Sequence, residues 1–179
     1  FTMLSELALE GFGALRALHP LLPLVWMPAL TAALVWVTLR WVPGAAGSGI
    51  PQVLAALDTR TSPSQRGLFV SLRLSVAKLV LASGALLAGL SAGREGPSVQ
   101  VAAGVMLHAR RWLPSRSSVT DHGLLIAGGA AGIAAAFNAP LAGVVFAIEE
   151  LSRKIENRNS GLILTAIVLA GLVAVSAFG

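Results

Sequence analysis

Two glycine-rich sequences in this chain have residue types that suit the binding of an anion by backbone atoms. Gly47 to Pro51 reads Gly-Ser-Gly-Ile-Pro, and Gly93 to Pro97 reads Gly-Arg-Glu-Gly-Pro. Proline is well tolerated at the first position of a helix, and the N–H groups of a first helical turn have no partner within the helix. Aligned peptide dipoles also place roughly half a positive charge at that end. Two such helix starts that converge would form an anion site without a cationic side chain.

Glycine clusters also have a simpler explanation, which is close packing between helices. We interpret Gly128, Gly129 and Gly132 in that way. Two clusters that are each followed by proline, one of them with an ionisable pair, instead favour a binding site. The candidate anion-binding residues are Gly47, Ser48, Gly49, Ile50, Pro51, Gly93, Arg94, Glu95, Gly96 and Pro97.

The helices that these sequences begin are expected to stop short of a full membrane crossing. Gly96 to Leu107 and Ala139 to Leu151 would each be about 20 Å long as helices, against about 30 Å of hydrocarbon. A third break is expected at Asn138, Ala139 and Pro140, and either Ser48 or Asn138 is expected to cap the turn before its helix. Unpaired N–H groups at membrane depth cost several kcal/mol each, so protein or an anion must satisfy them.

The composition shows why a membrane is the expected solvent. Apolar residues make up 55% of the 179, charged residues 12%, and the mean hydropathy is +0.79. Leu21 to Val42 and Gly67 to Leu90 are long enough to cross a bilayer as helices. We therefore predict an all-α, polytopic membrane protein with broken and half-spanning helices, and treat residues 1–179 as a single transmembrane domain. The start at Phe1 and the final apolar run, Leu162 to Phe178, suggest a piece of a longer protein.

The charged residues predict the orientation in the membrane. Most basic residues lie in three connections, residues 58–66, 108–121 and 149–159, which are expected to share the cytoplasmic side. A nucleic-acid partner is not expected despite the net charge of +5, because no basic stripe interleaved with aromatic residues is present. The absence of cysteine excludes a thiolate metal site, and the spacing of the histidines offers no other metal site.

At its glycine-rich sequences the chain resembles the CLC family of chloride channels and chloride/proton antiporters, bacterial members in particular. Gly47 to Pro51 is similar to the family's first anion-binding signature, and Gly93 to Pro97 to its second. The stretch from Gly132 to Leu151 is similar as well, including Ala-Ala-Ala-Phe-Asn-Ala-Pro-Leu-Ala-Gly and the terminal Glu-Glu. The resemblance implies an all-helical fold of two inverted halves, a homodimer with one pore in each subunit, and a bacterial inner-membrane location. This chain would be approximately the first half.

The resemblance also implies roles for single residues. Ser48 would donate its hydroxyl to a central chloride, Glu95 would be the gating glutamate, and Glu150 the inward-side proton glutamate of antiporters. The chain contains no tyrosine. The family's central-site tyrosine and its third signature, Gly-x-Phe-x-Pro, are therefore expected in the other half.

Glu95 has an alternative interpretation as a helix-start acid or as the partner of Arg94. A carboxylate drawn to a helix N-terminus nevertheless occupies the place of an anion, so its protonation would vacate the site for chloride. An ionisable residue among apolar segments is a functional candidate by default. The gating role is therefore the favoured interpretation of Glu95.

Three other ionisable residues are secondary candidates. Acids at a helix C-terminus oppose the dipole, which indicates a use for Glu149 and Glu150, although i,i+4 pairs with Arg153 and Lys154 are the mild alternative. Glu150 is assigned to proton transfer, and Glu149 to packing, proton access or plain solvation. Lys78 lies in the middle of an apolar segment, either as a source of positive potential near the pore or as a lysine satisfied by carbonyls and serine hydroxyls.

Chloride/proton antiport is the predicted function, with chloride and protons as transported ions and no cofactor. A passive voltage-gated chloride channel is the alternative. A non-transporting membrane scaffold would explain the small residues but not Glu95. An intramembrane serine protease would need Gly-x-Ser-Gly and a partner histidine, whereas Ala46 stands at the first position of that motif. No enzymatic activity is expected.

Overall fold

The computed structural model describes residues 2–58, 60–114, 119–151 and 160–178, and every regular element in these ranges is helical. The all-α prediction is therefore confirmed. The elements are α1 (Thr2–Leu18), α2 (Leu22–Trp41), a 3-10 turn (Pro43–Ala45), α3 (Ile50–Leu57), α4 (Pro63–Phe69), α5 (Leu72–Leu87), α6 (Glu95–His108), a second 3-10 turn (Ala109–Trp112), α7 (Asp121–Phe137), α8 (Pro140–Phe146), a π-helical turn (Ala147–Leu151) and α9 (Ser160–Phe178).

Among the described residues, two stretches are long and apolar enough to cross a membrane, Leu22–Trp41 and Ser64–Leu87. The second differs from the predicted continuous helix from Gly67 to Leu90. It is interrupted between α4 and α5, where Ser71 is extended and its hydroxyl accepts a hydrogen bond from the Leu74 N–H at 3.3 Å. This serine cap starts a new helix. The helix stops at Leu87 because Gly89 takes a left-handed conformation, φ +85°.

The first helix, α1, was not predicted, because its apolar residues alternate with glutamates and an arginine. It packs against the end of α5, where a Cβ on Gly11 would lie 2.9 Å from Leu87 Cδ1. Ser5 and Ala8 are buried on the same helix. Its position is therefore determined by a neighbour 70 or more residues away in the sequence.

The core is organised around α7, in which every residue from Gly123 to Ala134 is buried. A Cβ on Gly128 would lie 2.7 Å from the Ala102 carbonyl oxygen of α6, and one on Gly132 would lie 2.7 Å from the Ser98 carbonyl oxygen. The packing interpretation of these glycines is confirmed, since any larger residue would separate the two helices.

The short helices have the lengths that the sequence predicts. At about 1.5 Å per residue, the 14 residues of α6 span about 21 Å and the 8 residues of α3 about 12 Å. Both are well short of a hydrocarbon core of about 30 Å. The predicted segment from Ala139 to Leu151 is present as α8 and its π-helical continuation.

The predicted helix caps are wrong at both positions. Gly49, not Ser48, precedes α3 as its N-cap, with φ +117°. Asn138 ends α7 in the left-handed conformation, φ 52°, and Ala139 takes the N-cap of α8. Asparagine tolerates the left-handed region better than most residues, which suits it to a helix end.

Two of the basic connections meet in space at Asp121, the first residue of α7. Arg66 Nη1 lies 3.5 Å from Asp121 Oδ2, and Arg110 Nε lies 3.5 Å from Asp121 Oδ1. The connections at 58–66 and 108–121 are therefore at the same end of the helices. In the third connection, residues 152–159 lie outside the described residues.

Candidate anion site

The N-terminal ends of α3 and α6 meet in direct backbone contact. A Cβ on Gly49 would lie 2.4 Å from the Gly96 carbonyl oxygen, and a Cβ on Gly96 would lie 2.4 Å from the Ser48 carbonyl oxygen. No side chain fits at either position. Because each helix start leaves unpaired N–H groups, the contact brings two positive dipole ends together.

The loop before α3 has a backbone that glycine makes possible. Gly47 has φ +74° and Gly49 has φ +117°, both in the left-handed region that most residues avoid. Ser48 lies between these two glycines and lines a cavity beside the helix starts. Glycine on both sides of this serine is thus a requirement of the turn.

A cavity of about 490 Å³ lies at this contact. Its walls come from the loop before α3, from α5, and from the start of α6. They are formed by Ala45, Gly47, Ser48, Ile50, Lys78, Leu81, Ala82, Ala85, Ala92, Gly93, Glu95, Gly96 and Pro97. The structure thus brings seven of the ten predicted anion-binding residues to one cavity.

The other three predicted residues, Gly49, Pro51 and Arg94, do not line the cavity. Gly49 is the N-cap of α3 and Pro51 lies in its first turn. Arg94 is the N-cap of α6. All three therefore belong to the first turns or N-caps of the two helices and not to the cavity surface.

Glu95 is the first residue of α6 and is partly buried at the cavity. Its carboxylate folds back over the preceding turn, since a Cβ on Gly93 would lie 2.5 Å from Glu95 Oε2. Within the described part of the chain, no ion pair joins it to Arg94. The side chain therefore lies at the positive end of α6, as a helix-start acid does.

Lys78 places a buried ammonium group behind the loop before α3. Only 4% of the residue is exposed, and its Nζ donates hydrogen bonds to the carbonyls of Ala45, at 2.8 Å, and Gly47. It contacts carbonyls rather than Ser75, whose hydroxyl donates to the Ser71 carbonyl at 3.0 Å. The structure confirms the interpretation in which carbonyls satisfy Lys78, and it places the residue in the cavity wall. A role as a source of positive potential near a pore stays a prediction.

Two glutamines that were not predicted from the sequence hold the loop before α3. Gln52 donates from Nε2 to the Ala46 carbonyl. Gln100 is fully buried on α6, and its Nε2 donates to the carbonyls of Gly44, at 2.9 Å, and Phe69, at 2.8 Å. A polar residue inside an apolar helix was the signal that could have identified Gln100.

Glu149 and Glu150 lie away from the cavity lining, in the π-helical turn after α8, and both are exposed. Their proposed partners, Arg153 and Lys154, fall outside the described residues. The structure therefore separates the two candidate proton residues. Glu95 is at the cavity, whereas Glu150 is at a helix end.

Apolar spans combined with half-length helices whose N-termini meet beside a cavity are the architecture of polytopic membrane proteins with broken helices. Residues 30–179 match the sequence model of the family described as voltage gated chloride channel. The chain belongs to that family.

Similar proteins include several bacterial proteins named H(+)/Cl(-) exchange transporter ClcA. The chain is 38% identical over 160 residues to that of Vibrio vulnificus (strain YJ016), which covers 86% of this chain and 32% of the relative. It is 37% identical over 135 residues to that of Vibrio parahaemolyticus, covering 75% and 27%. For Citrobacter koseri the identity is 34% over 155 residues, covering 84% and 32%. The chain spans about a third of the length of the curated relatives it matches.

Proposed function

We propose that this chain contributes one side of the pathway of a chloride/proton antiporter, with chloride bound where α3 and α6 begin. The observation that carries this proposal is the contact between Gly49 and Gly96 beside a cavity that also contains Ser48 and Glu95. The identification of the anion as chloride is supported by the family and by the names of the relatives.

Backbone N–H groups and the Ser48 hydroxyl would replace part of the water that chloride sheds in the cavity. The two helix ends each supply partial positive charge, which attracts an anion without holding it as tightly as a direct ion pair would. Lys78 already donates to two carbonyls, so it would raise the local potential rather than coordinate the ion. Moderate binding of this kind suits a transported ion.

The Glu95 carboxylate would compete with chloride for the positive end of α6. When ionised, it occupies the region that attracts anions, and when protonated, it loses that attraction and leaves the site to chloride. Exchange of a proton for chloride at one position would couple their movements in opposite directions. Glu150 would pass protons to and from the cytoplasmic side, with Glu149 assisting access or remaining a solvated surface acid.

A passive chloride channel is the second candidate, favoured by the description of the matching family. Glu150 and the exchange transporters among the relatives favour antiport. Proteolysis has less support, because no histidine lines the cavity of Ser48 within the described residues. The membrane assembly is further proposed to be a homodimer in a bacterial inner membrane, with the three basic connections in the cytoplasm.

The decisive experiment is transport by the full-length protein in liposomes, with chloride and pH electrodes recording together. A chloride gradient is expected to drive proton movement in the opposite direction, even against a proton gradient. Chloride flux without any proton movement would assign the channel function. If neither ion moved, the transport proposal would be wrong.

A further inference from the structure

A second cavity with charged walls lies where α4, α6 and α7 meet. Its volume is about 350 Å³. It shares no lining residue with the cavity beside the starts of α3 and α6, which we call the anion cavity. Apolar residues, such as Val70 and Leu107, form part of its wall. The charged and titratable lining residues are Arg66, His108, Arg110 and Asp121.

Two arginines of the described lining face one aspartate. The guanidinium groups of Arg66 and Arg110 both approach the Asp121 carboxylate, each at 3.5 Å. Both distances are longer than a good charge-assisted hydrogen bond. The Asp121 carboxylate therefore competes with any other anion for the Arg66 guanidinium group.

Two buried nitrogen atoms of the lining residues have no hydrogen-bond partner among the described residues, Arg66 Nε and His108 Nε2. Buried polar atoms are nearly always hydrogen-bonded, so unsatisfied ones call for an explanation. An anion in the cavity would accept a hydrogen bond from Arg66 Nε, and from His108 Nε2 when that atom carries the proton. The histidine is further oriented by an edge-on contact with Trp112, with ring centroids 6.2 Å apart.

We propose that this cavity binds a phosphate group, and that the phosphate is the head group of an anionic phospholipid. Arginine is suited to phosphate because its planar group donates two parallel hydrogen bonds. A phosphodiester oxygen is an acceptor that suits the buried Arg66 Nε–H, which has no partner among the described residues. The apolar wall suits the glycerol and first acyl carbons, and basic pockets between membrane helices bind such head groups. The binding is independent of chloride transport.

A purely structural network is the competing explanation, in which Asp121 and the arginines tie α4 to α7. The two explanations differ in what happens when the carboxylate is removed. Asp121→Asn weakens a structural network but strengthens a phosphate site, because it removes a competing negative charge. Arg66→Gln weakens both.

The test is native mass spectrometry of the purified full-length protein with dioleoyl phosphatidylglycerol or dioleoyl phosphatidylcholine. The protein is expected to retain phosphatidylglycerol in preference to phosphatidylcholine. Arg66→Gln is expected to weaken phosphatidylglycerol binding about tenfold, as the loss of one charge-assisted contact implies. Asp121→Asn is expected to strengthen it. Arg73→Gln is the matched control, since Arg73 is exposed and does not line the cavity.

Added inorganic phosphate distinguishes the source of the phosphate group. If it leaves the bound phosphatidylglycerol in place, the site is a lipid site. If it displaces the lipid from the wild type but has no effect on the residual lipid of Arg66→Gln, the same site serves a soluble phosphate compound. Phosphatidylglycerol binding that is unchanged in Arg66→Gln, or reduced in Asp121→Asn, overturns the proposal. Gel filtration of each variant confirms that it is folded, and Arg66→Lys, which retains the charge, is expected to bind at an intermediate level.

Discussion

Glu95 is the residue where the sequence and the structure agree most closely. It begins α6, lines the cavity beside the starts of α3 and α6, and makes no ion pair with Arg94 in the described part of the chain. Under the proposed function, this carboxylate would compete with an anion for the helix end. Its charge should matter more than its size.

The first prediction concerns that charge. In the full-length protein, Glu95→Gln is expected to reduce chloride-driven proton movement to the background of empty liposomes, while chloride flux continues. The amide cannot be ionised, so it carries no proton and no longer competes as an anion. Paired chloride and pH recordings measure the effect, with Glu10→Gln, an exposed acid of α1, as the control. Antiport with unchanged stoichiometry in Glu95→Gln would eliminate the gating role.

Glu150 is the second residue with a testable charge. Glu150→Gln is expected to abolish proton movement and to leave chloride flux, because the proton loses its carrier at the inner end of the pathway. Glu149→Gln changes the same charge one residue earlier in the same exposed turn and is expected to retain proton coupling, at an unchanged or reduced rate. The same paired recording applies. Uphill proton transport that persists in Glu150→Gln would refute its assignment.

At the scale of elements, the main feature of the proposed anion site is the backbone contact between the starts of α3 and α6. Neither Gly49 nor Gly96 has room for a Cβ, and the obstructing atoms are carbonyl oxygens rather than movable side chains. Lys78 and Gln100 hold the same loop from behind through its carbonyls. The geometry of the site therefore depends on two helix ends that cannot move apart without losing these contacts.

The third prediction follows from this contact. Gly96→Ala is expected to force α6 away from Ser48, to lower chloride affinity, and to destabilise the protein by about 1–3 kcal/mol, as overpacking does. Isothermal titration with chloride and the thermal unfolding midpoint in detergent measure the two effects.

The control is Gly13→Ala, where a Cβ would meet nothing within 4 Å. In α1 that change should be neutral or slightly stabilising. Equal chloride affinity in Gly96→Ala and the wild type would contradict the proposed site.

At the scale of the whole molecule, charge is distributed unevenly between the two ends of the helices. Asp121 joins the connections at 58–66 and 108–121 through Arg66 and Arg110, which places two basic connections together. The turn at Ser91 to Gly93, after α5, has no charged residue. Basic connections favour the cytoplasmic side because positively charged loops are poorly translocated.

The fourth prediction is therefore a topology. The 179 residues contain no cysteine. With any others replaced by serine, single cysteines report accessibility to a membrane-impermeant thiol reagent. In intact cells Ser91→Cys is expected to react and Arg60→Cys is not, while both should react in permeabilised cells. Both residues are exposed, so the comparison is matched. Labelling of Arg60→Cys in intact cells would reverse the proposed orientation.

Local sequence predicted those features of the fold that depend on local chemistry. Half-length helices that begin at Gly-Ile-Pro, Glu-Gly-Pro and Ala-Pro follow from proline and glycine at helix starts, and all three occur in the structure. The predicted caps were wrong because Ser48 and Asn138 could each occupy more than one position near a helix end. The conformation of the neighbouring backbone made Gly49 the N-cap of α3 and placed Asn138 at the end of α7. The break before α5 and the helix α1 were missed because hydropathy averaged over a window does not detect a single serine cap or a mixed surface.

By itself, then, the sequence determined that this chain is helical, apolar and interrupted, and that Glu95 stands at an interruption, since each property resides in neighbouring residues. Only the tertiary structure decided that the interruptions meet. Lys78 contacts a carbonyl 33 residues away and Gln100 one 56 residues away. Such pairs depend on how glycine-lined helices pack against α7, and packing is a property of surfaces that are brought together, not of the order of residues along the chain.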